Sequence, residues 1–166
     1  DKMFAWQGTL KMKDKENNKL LLELKDGVVE IEMRPDLAPK HVARIKELVK
    51  QGFYDGLKFH RVIDGFMAQT GDPDGDGCGG SGMLLRAEFS DEPHVRGTCS
   101  MARAMDIHSA DSQFFICYDD CPWLDKQYTV WGKVVKGMEF VDKIKKGTGG
   151  NGMVKDPDCI ISMKLA

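Results

Sequence analysis

The sequence lacks any apolar run approaching the ~20 residues needed to cross a bilayer. Its first residues, DKMFAWQGTL, do not combine a basic start with a long apolar stretch, so we expect no intact signal peptide there. The possibility that a leader was removed before Asp1 stays open. A large excess of charge of either sign is also missing, because 24 basic and 26 acidic residues give a net charge of −2 and an isoelectric point of about 6.1. We therefore predict neither a nucleic-acid nor a membrane partner.

Cysteine occurs five times, an odd number, in a chain of 166 residues that can build its own core. This pattern favours free thiols in a reducing compartment, the cytoplasm. The alternative is the periplasm after signal cleavage, with disulfides and one cysteine left over. Cys117 and Cys121 are too widely spaced for a CxxC redox motif, and no cysteines and histidines have zinc-finger spacing. The sequence thus predicts no metal and no other cofactor.

The length and the 42% share of hydrophobic residues fit one domain with one core. No internal repeat and no Pro/Ser linker divides the chain. We predict a single domain over residues 1–166, in which residues 1–18 form an N-terminal extension with a first strand and a loop.

Alternating apolar and charged residues at 29–33 indicate a strand with one buried face, and an apolar run at 20–24 precedes it. The Asp-Gly pair between them predicts a tight hairpin. Further strands are predicted at 57–63, 66–70, 98–103, 113–118, 128–135 and 159–165.

Two amphipathic helices are predicted. In 36–51 the apolar residues fall at helical spacing, with Asp36 as N-cap, Pro39 in the first turn and Gly52 as the stop. A shorter helix fits 138–146. Many short strands and only two helices favour a mostly β domain whose antiparallel sheet closes into a barrel.

The stretch GDPDGDGCGGSG at 71–82 resembles two known ligand loops. Asp72, Asp74 and Asp76 match the first half of an EF-hand, but Met83 stands where a glutamate is needed. The GxGxxG match that starts at Gly75 is not followed by a helix pattern, which a dinucleotide-binding loop requires. We interpret 71–82 as a loop in which glycines permit positive φ and aspartates bond to nearby backbone. A weak cation site there stays open.

A hydrolase site could be sought in the neighbours His108, Ser109, Asp111 and Ser112. Proximity in sequence does not make a triad, and the chain has no nucleophile elbow. This interpretation is not favoured.

Three segments carry a more specific pattern: FHRVIDGFMAQTGD at 59–72, SQFFI at 112–116 and WLD…YTVWGKV at 123–134. From about residue 20 to its C-terminus the chain resembles the cyclophilin family of peptidyl-prolyl cis–trans isomerases, in a bacterial form. The resemblance implies a closed eight-stranded antiparallel β-barrel capped by two α-helices, and a monomer. The fold agrees with the independent interpretation above.

The resemblance also implies the site. Its catalytic residue is Arg61, and its substrate-binding positions are Phe66, Met67, Gln69, Ala102, Arg103, Gln113, Phe115, Trp123, Leu124 and Tyr128. Arg103 and Tyr128 stand where many eukaryotic members have asparagine and histidine, while Trp123 resembles the tryptophan that favours cyclosporin binding. The implied partners are proline-containing peptides, unfolded client proteins and cyclosporin-type ligands.

The chemistry is consistent with these residue types. An X–Pro bond isomerises over a barrier of ~18–20 kcal/mol without breaking a covalent bond, so no nucleophile or metal is required. As the amide twists, the proline nitrogen gains a lone pair that a charged donor such as Arg61 can stabilise. A thousandfold acceleration requires ~4 kcal/mol, of which such a hydrogen bond typically gives ~1.5–3 kcal/mol.

Taken singly, these residues have plainer interpretations. Arg61 could be a surface ion-pair partner, His60 a structural histidine and Trp123 a packed rim residue. Phe114 and Ile116 are expected in the core, because alternation sends Phe115 to the opposite face. The rival function is a non-catalytic module that docks proline-containing segments as a chaperone or scaffold. The third candidate function is a calcium- or zinc-dependent enzyme.

Overall fold

The computed structural model describes residues 18–166, so the strand and loop predicted within residues 1–17 lie outside the described residues. Its strands are β1 (Lys19–Leu24), β2 (Gly27–Met33), β3 (Arg61–Ile63), β4 (Met67–Thr70), β5 (Thr98–Met101), β6 (Phe114–Cys117), β7 (Val130–Lys136) and β8 (Ser162–Leu165). Its helices are α1 (Pro39–Lys50) and α2 (Met138–Asp142), with one 3₁₀ turn at Pro122–Leu124.

All eight strands belong to one antiparallel sheet in the order β3-β4-β6-β5-β7-β2-β1-β8. The sheet curls until its edges meet, where Lys58, ahead of β3, bridges Cys159, ahead of β8. The amides of Phe59 and Ile160 donate across this seam to the carbonyls of Asp158 and Leu57, at 2.8 Å each. The predicted eight-stranded antiparallel barrel with two helices is confirmed. The predicted strands at 57–63 and 159–165 start later than expected because their first residues form this irregular seam.

The predicted first hairpin is confirmed, with Lys25 and Asp26 as its two-residue loop between the paired Leu24 and Gly27. Gly27 has a further reason to be glycine. A side-chain carbon there would lie 2.5 Å from two ring atoms of Phe140, which belongs to α2. The missing side chain therefore lets α2 approach the hairpin.

Helix α1 is present, but Asp36 as its N-cap is wrong. The cap position is Ala38, which offers no side-chain acceptor, and the carboxylate of Asp36 is instead bound by Arg34. The amides of Lys40 and His41 donate to Glu88, 48 and 47 residues away, at 3.2 and 2.8 Å. A carboxylate from a distant loop thus replaces the local cap. Gly52 follows with a φ of 71°, as the predicted stop requires.

Helix α2 is shorter than the predicted 138–146. Lys143 and Ile144 donate to Phe140 and Val141, a tighter i→i−3 pattern. The amide of Gly147 then donates to Val62 at 2.9 Å, so the chain has left the helix to run beside β3. Neither helix within residues 18–166 is long and apolar enough to cross a membrane.

The two faces of β6 separate core from groove. Phe114 and Ile116 are fully buried in the main core, where Phe114 meets the ring of Trp131 edge-on at 5.3 Å. Phe115 belongs to a second apolar cluster with Met67 and Leu124. The predicted division between Phe115 and its neighbours is therefore confirmed, and the second cluster locates the groove on the outside of the barrel.

Candidate active site

Three adjacent strands place the central side chains of the groove in one row. Arg61 on β3 pairs with Gln69 on β4, and Gln69 pairs with Phe115 on β6. Met67 lies two residues before Gln69, so period-2 alternation puts both side chains on the same face of the sheet. The register of the three strands is enough to align these side chains. This explains why the short segments FHRVIDGFMAQ and SQFF contain so many of the predicted site residues.

Hydrogen bonds join this row into a chain of polar groups. Arg61 donates from Nε to the carbonyl of Asn151 at 2.8 Å and from Nη1 to Oε1 of Gln69 at 3.2 Å. Gln69 in turn donates from Nε2 to Oε1 of Gln113 at 2.9 Å. Gln113 donates onward to the carbonyls of Gly77 and Gly79. Arg61 is therefore oriented from two sides.

A pocket of about 130 Å³ lies beside the Arg61 side chain. Its wall contains nine of the eleven predicted site residues, namely Arg61, Phe66, Met67, Gln69, Ala102, Arg103, Phe115, Leu124 and Tyr128. The Tyr128 ring meets Phe115 edge-on at 5.9 Å, and the guanidinium of Arg103 lies 4.6 Å above the Tyr128 ring. Arg103 also donates to the carbonyl of Gln127 from Nε and Nη2. The two positions that depart from many eukaryotic members thus contact each other.

The remaining two predicted residues lie next to this pocket. Trp123 forms the rim, with its ring 5.7 Å from that of Phe66 and 60% of the residue exposed. Gln113 lines a neighbouring cavity of about 240 Å³, together with the glycines at 77, 79 and 80 and the side chains of Leu84 and Asp111. Gln69, Ala102 and Arg103 border both cavities. An extended peptide could therefore occupy both at once.

His94 is a supporting residue that the sequence did not reveal. Its buried ring stacks on Phe115 at 6.3 Å. Nδ1 lies 3.0 Å from Oδ1 of Asp125 and Nε2 lies 2.8 Å from Oγ of Ser100. Burial lowers the pKa of His94, and the carboxylate of Asp125 opposes that change. The neutral ring is thus a fixed support behind the pocket, and an isolated histidine in a loop gave no signal for this.

The five cysteines, all within the described residues, are free. Cys117 and Cys121 belong to the apolar cluster under the pocket. Burial raises the pKa of both thiols, which favours their neutral form. They pack against the pocket as apolar groups.

The loop at 71–82 adopts the predicted local structure. The carboxylate of Asp72 accepts the amides of Asp74, Asp76 and Gly77, and the glycines at 71, 75, 77 and 82 have positive φ. No helix follows the GxGxxG match. Loop 71–82 therefore fits neither a nucleotide-binding turn nor an EF-hand.

The hydrolase residues do not assemble into a triad. His108 accepts the amide of Ala87, whereas Ser109 donates to the carbonyl of Asp106. Ser112 donates to the carbonyl of Gly71, and Asp111 accepts from Ser81 instead. These four residues therefore form no hydrolase site.

Fold and groove together define the class: a β-barrel enzyme with a partly apolar pocket beside an oriented arginine. The sequence model of the family described as "Cyclophilin type peptidyl-prolyl cis-trans isomerase/CLD" matches residues 19–165. The chain belongs to this family, and it is a peptidyl-prolyl cis–trans isomerase.

The names of similar proteins and of similar solved structures agree with this family assignment. A "probable peptidyl-prolyl cis-trans isomerase" of Brucella suis is 58% identical over 161 residues, covering 89% of this chain and 82% of that relative. Peptidyl-prolyl cis-trans isomerase B of Bacillus subtilis is 44% identical over 127 residues, covering 75% of this chain and 88% of that relative. A Cryptosporidium parvum cyclophilin-type isomerase, crystallised in the presence of the dipeptide Ala-Pro, is 27% identical with a TM-score of 0.82, covering 89% of this chain and 98% of that one.

Proposed function

We propose that this isomerase binds an X–Pro segment across its two cavities and lowers the barrier to rotation through Arg61. The proline ring would occupy the pocket of Phe66, Met67, Phe115 and Leu124, and the preceding residues would extend towards Gln113. Support comes from the size of the pocket and from the apolar cluster that forms one side of it. The Ala-Pro dipeptide named with the Cryptosporidium parvum structure is of the same chemical class.

The orientation of Arg61 is the observation that carries the mechanism. Nε and Nη1 are occupied by Asn151 and Gln69, which leaves Nη2 free of the bonds that fix the side chain. No carboxylate in residues 18–166 lies within ion-pair distance of this guanidinium. A charged donor beside an apolar wall can favour the twisted amide, in which the proline nitrogen becomes a better acceptor. Gln69 and the backbone near Ala102 would hold the flanking peptide.

The test is a proline-peptide isomerisation assay on the wild type, Arg61→Ala and Arg61→Lys. We expect Arg61→Ala to lower kcat/KM by about 10- to 150-fold, because a charged hydrogen bond typically contributes ~1.5–3 kcal/mol. Arg61→Lys retains the charge but cannot form the same fork, so an intermediate value is expected. Equal rates in all three, at equal folded fraction, would contradict the role of Arg61.

The same assay separates the rival functions. A non-catalytic docking module would bind proline peptides without increasing cis–trans exchange in an NMR exchange experiment. A metal-dependent enzyme would lose its activity with a chelator, whereas we expect no effect on the rate.

We further propose unfolded or flexible client proteins as substrates, cyclosporin-type cyclic peptides as ligands of the rim at Trp123, and a monomer as the working state. The free cysteines support a reducing compartment, the cytoplasm, with the periplasm as the alternative. Fractionation of the producing cell would decide between the two compartments.

A further inference from the structure

Three carboxylates converge in the loop at 71–82, next to the groove but outside the proposed machinery. Asp72, Asp74 and Asp76 each offer an oxygen atom, and these atoms all lie within 4.8 Å of one another. A side-chain carbon at Gly79 would clash with Oδ1 of Asp72 and with Oδ2 of Asp74. The absence of a side chain at Gly79 therefore lets both carboxylates pack against the backbone of the loop.

The loop holds Asp72 firmly. Its carboxylate accepts the amides of Asp74 at 2.8 Å, Asp76 at 3.0 Å and Gly77 at 2.5 Å. Asp72 is buried, whereas Asp74 and Asp76 are exposed. The amide of Gly79 also faces this carboxylate, so four loop amides hold its oxygen atoms in place.

An unpartnered histidine approaches the same loop from the barrel. His60 is 2% exposed, and neither of its ring nitrogens has a hydrogen-bond partner in residues 18–166. The carbonyl of Lys58 is near the ring but has hydrogen-bond geometry to neither nitrogen. Nε2 lies 3.9 Å from the position that a Cβ would take at Gly77, whose amide is bound to Asp72. Burying an imidazole without hydrogen bonds costs free energy. We therefore expect a polar partner for His60 on the side of the loop at 71–82.

We propose that Asp72, Asp74, Asp76 and His60 form a divalent-cation site. The carboxylates supply oxygen ligands, and Nε2 of His60 contacts the ion through one water from the barrel side. Carboxylate and water oxygens suit Mn²⁺ as well as Ca²⁺ and Mg²⁺, and Mn²⁺ serves as the probe because its EPR signal can be followed. The ion would relieve the repulsion among the carboxylates and give His60 a partner.

The site would stiffen the loop rather than take part in catalysis. The carbonyls of Gly77 and Gly79 accept hydrogen bonds from Gln113, so the loop forms one side of the second cavity. Rotation about an X–Pro bond needs no metal, so isomerisation of a short peptide proceeds without the ion. Failure of the cation site would therefore leave the proposed mechanism intact.

The experiment titrates metal-stripped protein with MnCl₂, followed by calorimetry and by the EPR signal of free Mn²⁺. Asp74→Asn combined with Asp76→Asn removes the negative charge of two exposed ligands. The matched control is Asp119→Asn combined with Asp120→Asn, an exposed acidic pair outside the loop with the same change of charge. We expect one saturable ion in the wild type and the control, and at least tenfold weaker binding in the loop variant.

A second measurement addresses His60 without a substitution that could unfold the barrel. Bound Mn²⁺ should broaden the NMR ring signals of His60 much more than those of His94. No saturable binding, equal affinity in the loop variant and the control, or equal broadening of both histidines would overturn the proposal.

Discussion

At the scale of single residues, the proposed mechanism depends on an arginine that is oriented without being neutralised. A carboxylate partner would orient Arg61 as well, but it would also offset the charge that the twisted amide is proposed to meet. The carbonyl of Asn151 and the amide oxygen of Gln69 orient the guanidinium and leave its full charge in place. This favours a role in stabilising the transition state over a role as a surface ion-pair partner.

Trp123 offers a separate test of ligand binding at the rim. The residue is 60% exposed and does not line the pocket itself, so its ring can cover a large ligand without being needed for a short peptide. We expect Trp123→Ala to weaken cyclosporin binding about tenfold, since losing ~1.4 kcal/mol of contact is a factor of ten. The fall in kcat/KM for a tetrapeptide should stay within about threefold.

Ile161→Ala is the control for that measurement, because Ile161 is an exposed apolar residue in the segment before β8. Cyclosporin affinity should be unchanged in this variant. Unaltered affinity in Trp123→Ala as well would place the ligand elsewhere.

The site residues that the sequence predicts differ from those it misses in how far along the chain their contact partners lie. Phe115 and Gln69 follow from strand alternation and from motifs that span only a few residues. His94 acquires its role only when Asp125, 31 residues on, meets its Nδ1. Asn151 contributes a backbone oxygen, which its residue type cannot reveal. Sequence patterns therefore predict the lining of the pocket better than its supports.

At the scale of elements, the start of α1 shows the same limit. The apolar spacing and Pro39 predict the helix correctly, because both act within the helix itself. The cap is Glu88, which lies in the long irregular segment between β4 and β5 and comes near only in the folded chain. Asp36 has the right residue type for a cap, but its carboxylate is bound by Arg34.

We expect Glu88→Ala to lower the free energy of unfolding by about 1–2 kcal/mol, in the range of a lost helix cap. The change leaves two first-turn amides without their acceptor and removes the partner of the buried His41 Nδ1, 2.6 Å away. For a chain of this size, each ~1 kcal/mol corresponds to a fall of about 2–4 °C in Tm. Urea unfolding followed by circular dichroism measures the change.

Glu47→Ala provides the comparison on the same helix. Glu47 forms only a side-chain pair with Arg44 at the surface, so we expect a loss below ~0.5 kcal/mol. Equal losses in the two variants would show that Glu88 has no special role as a cap.

At the scale of the whole molecule, barrel closure connects the stability of the fold to the site. The segment ahead of β3 pairs with the segment ahead of β8, and Val62 within β3 donates to the carbonyl of Gly152. Asn151, which orients Arg61, is the neighbour of Gly152 in this same outer segment. Loosening of this outer segment would therefore also disturb the orientation of Arg61.

Acid should loosen the whole barrel, because three histidines are buried in different parts of it. Burial lowers the pKa of His41, His60 and His94, whereas each is near 6.5 in the unfolded chain. The unfolded chain therefore binds more protons than the native state just below pH 6.5. Stability should be fully present above that pH and should fall as the pH drops from about 6.5 towards the lowered values.

A second loss should follow in stronger acid. The pKa of Asp72 is lowered by amides of its loop that outweigh its burial, and the pKa of Asp142 is lowered by Arg96. Their stabilising effect is present above about pH 4 and is lost as the pH falls further. Urea unfolding at pH 8, 7, 6, 5 and 4 should thus show decreasing stability in two stages. His108→Gln, which changes an exposed histidine, should leave the first stage unaltered, and a constant free energy of unfolding between pH 7.5 and 5 would contradict the prediction.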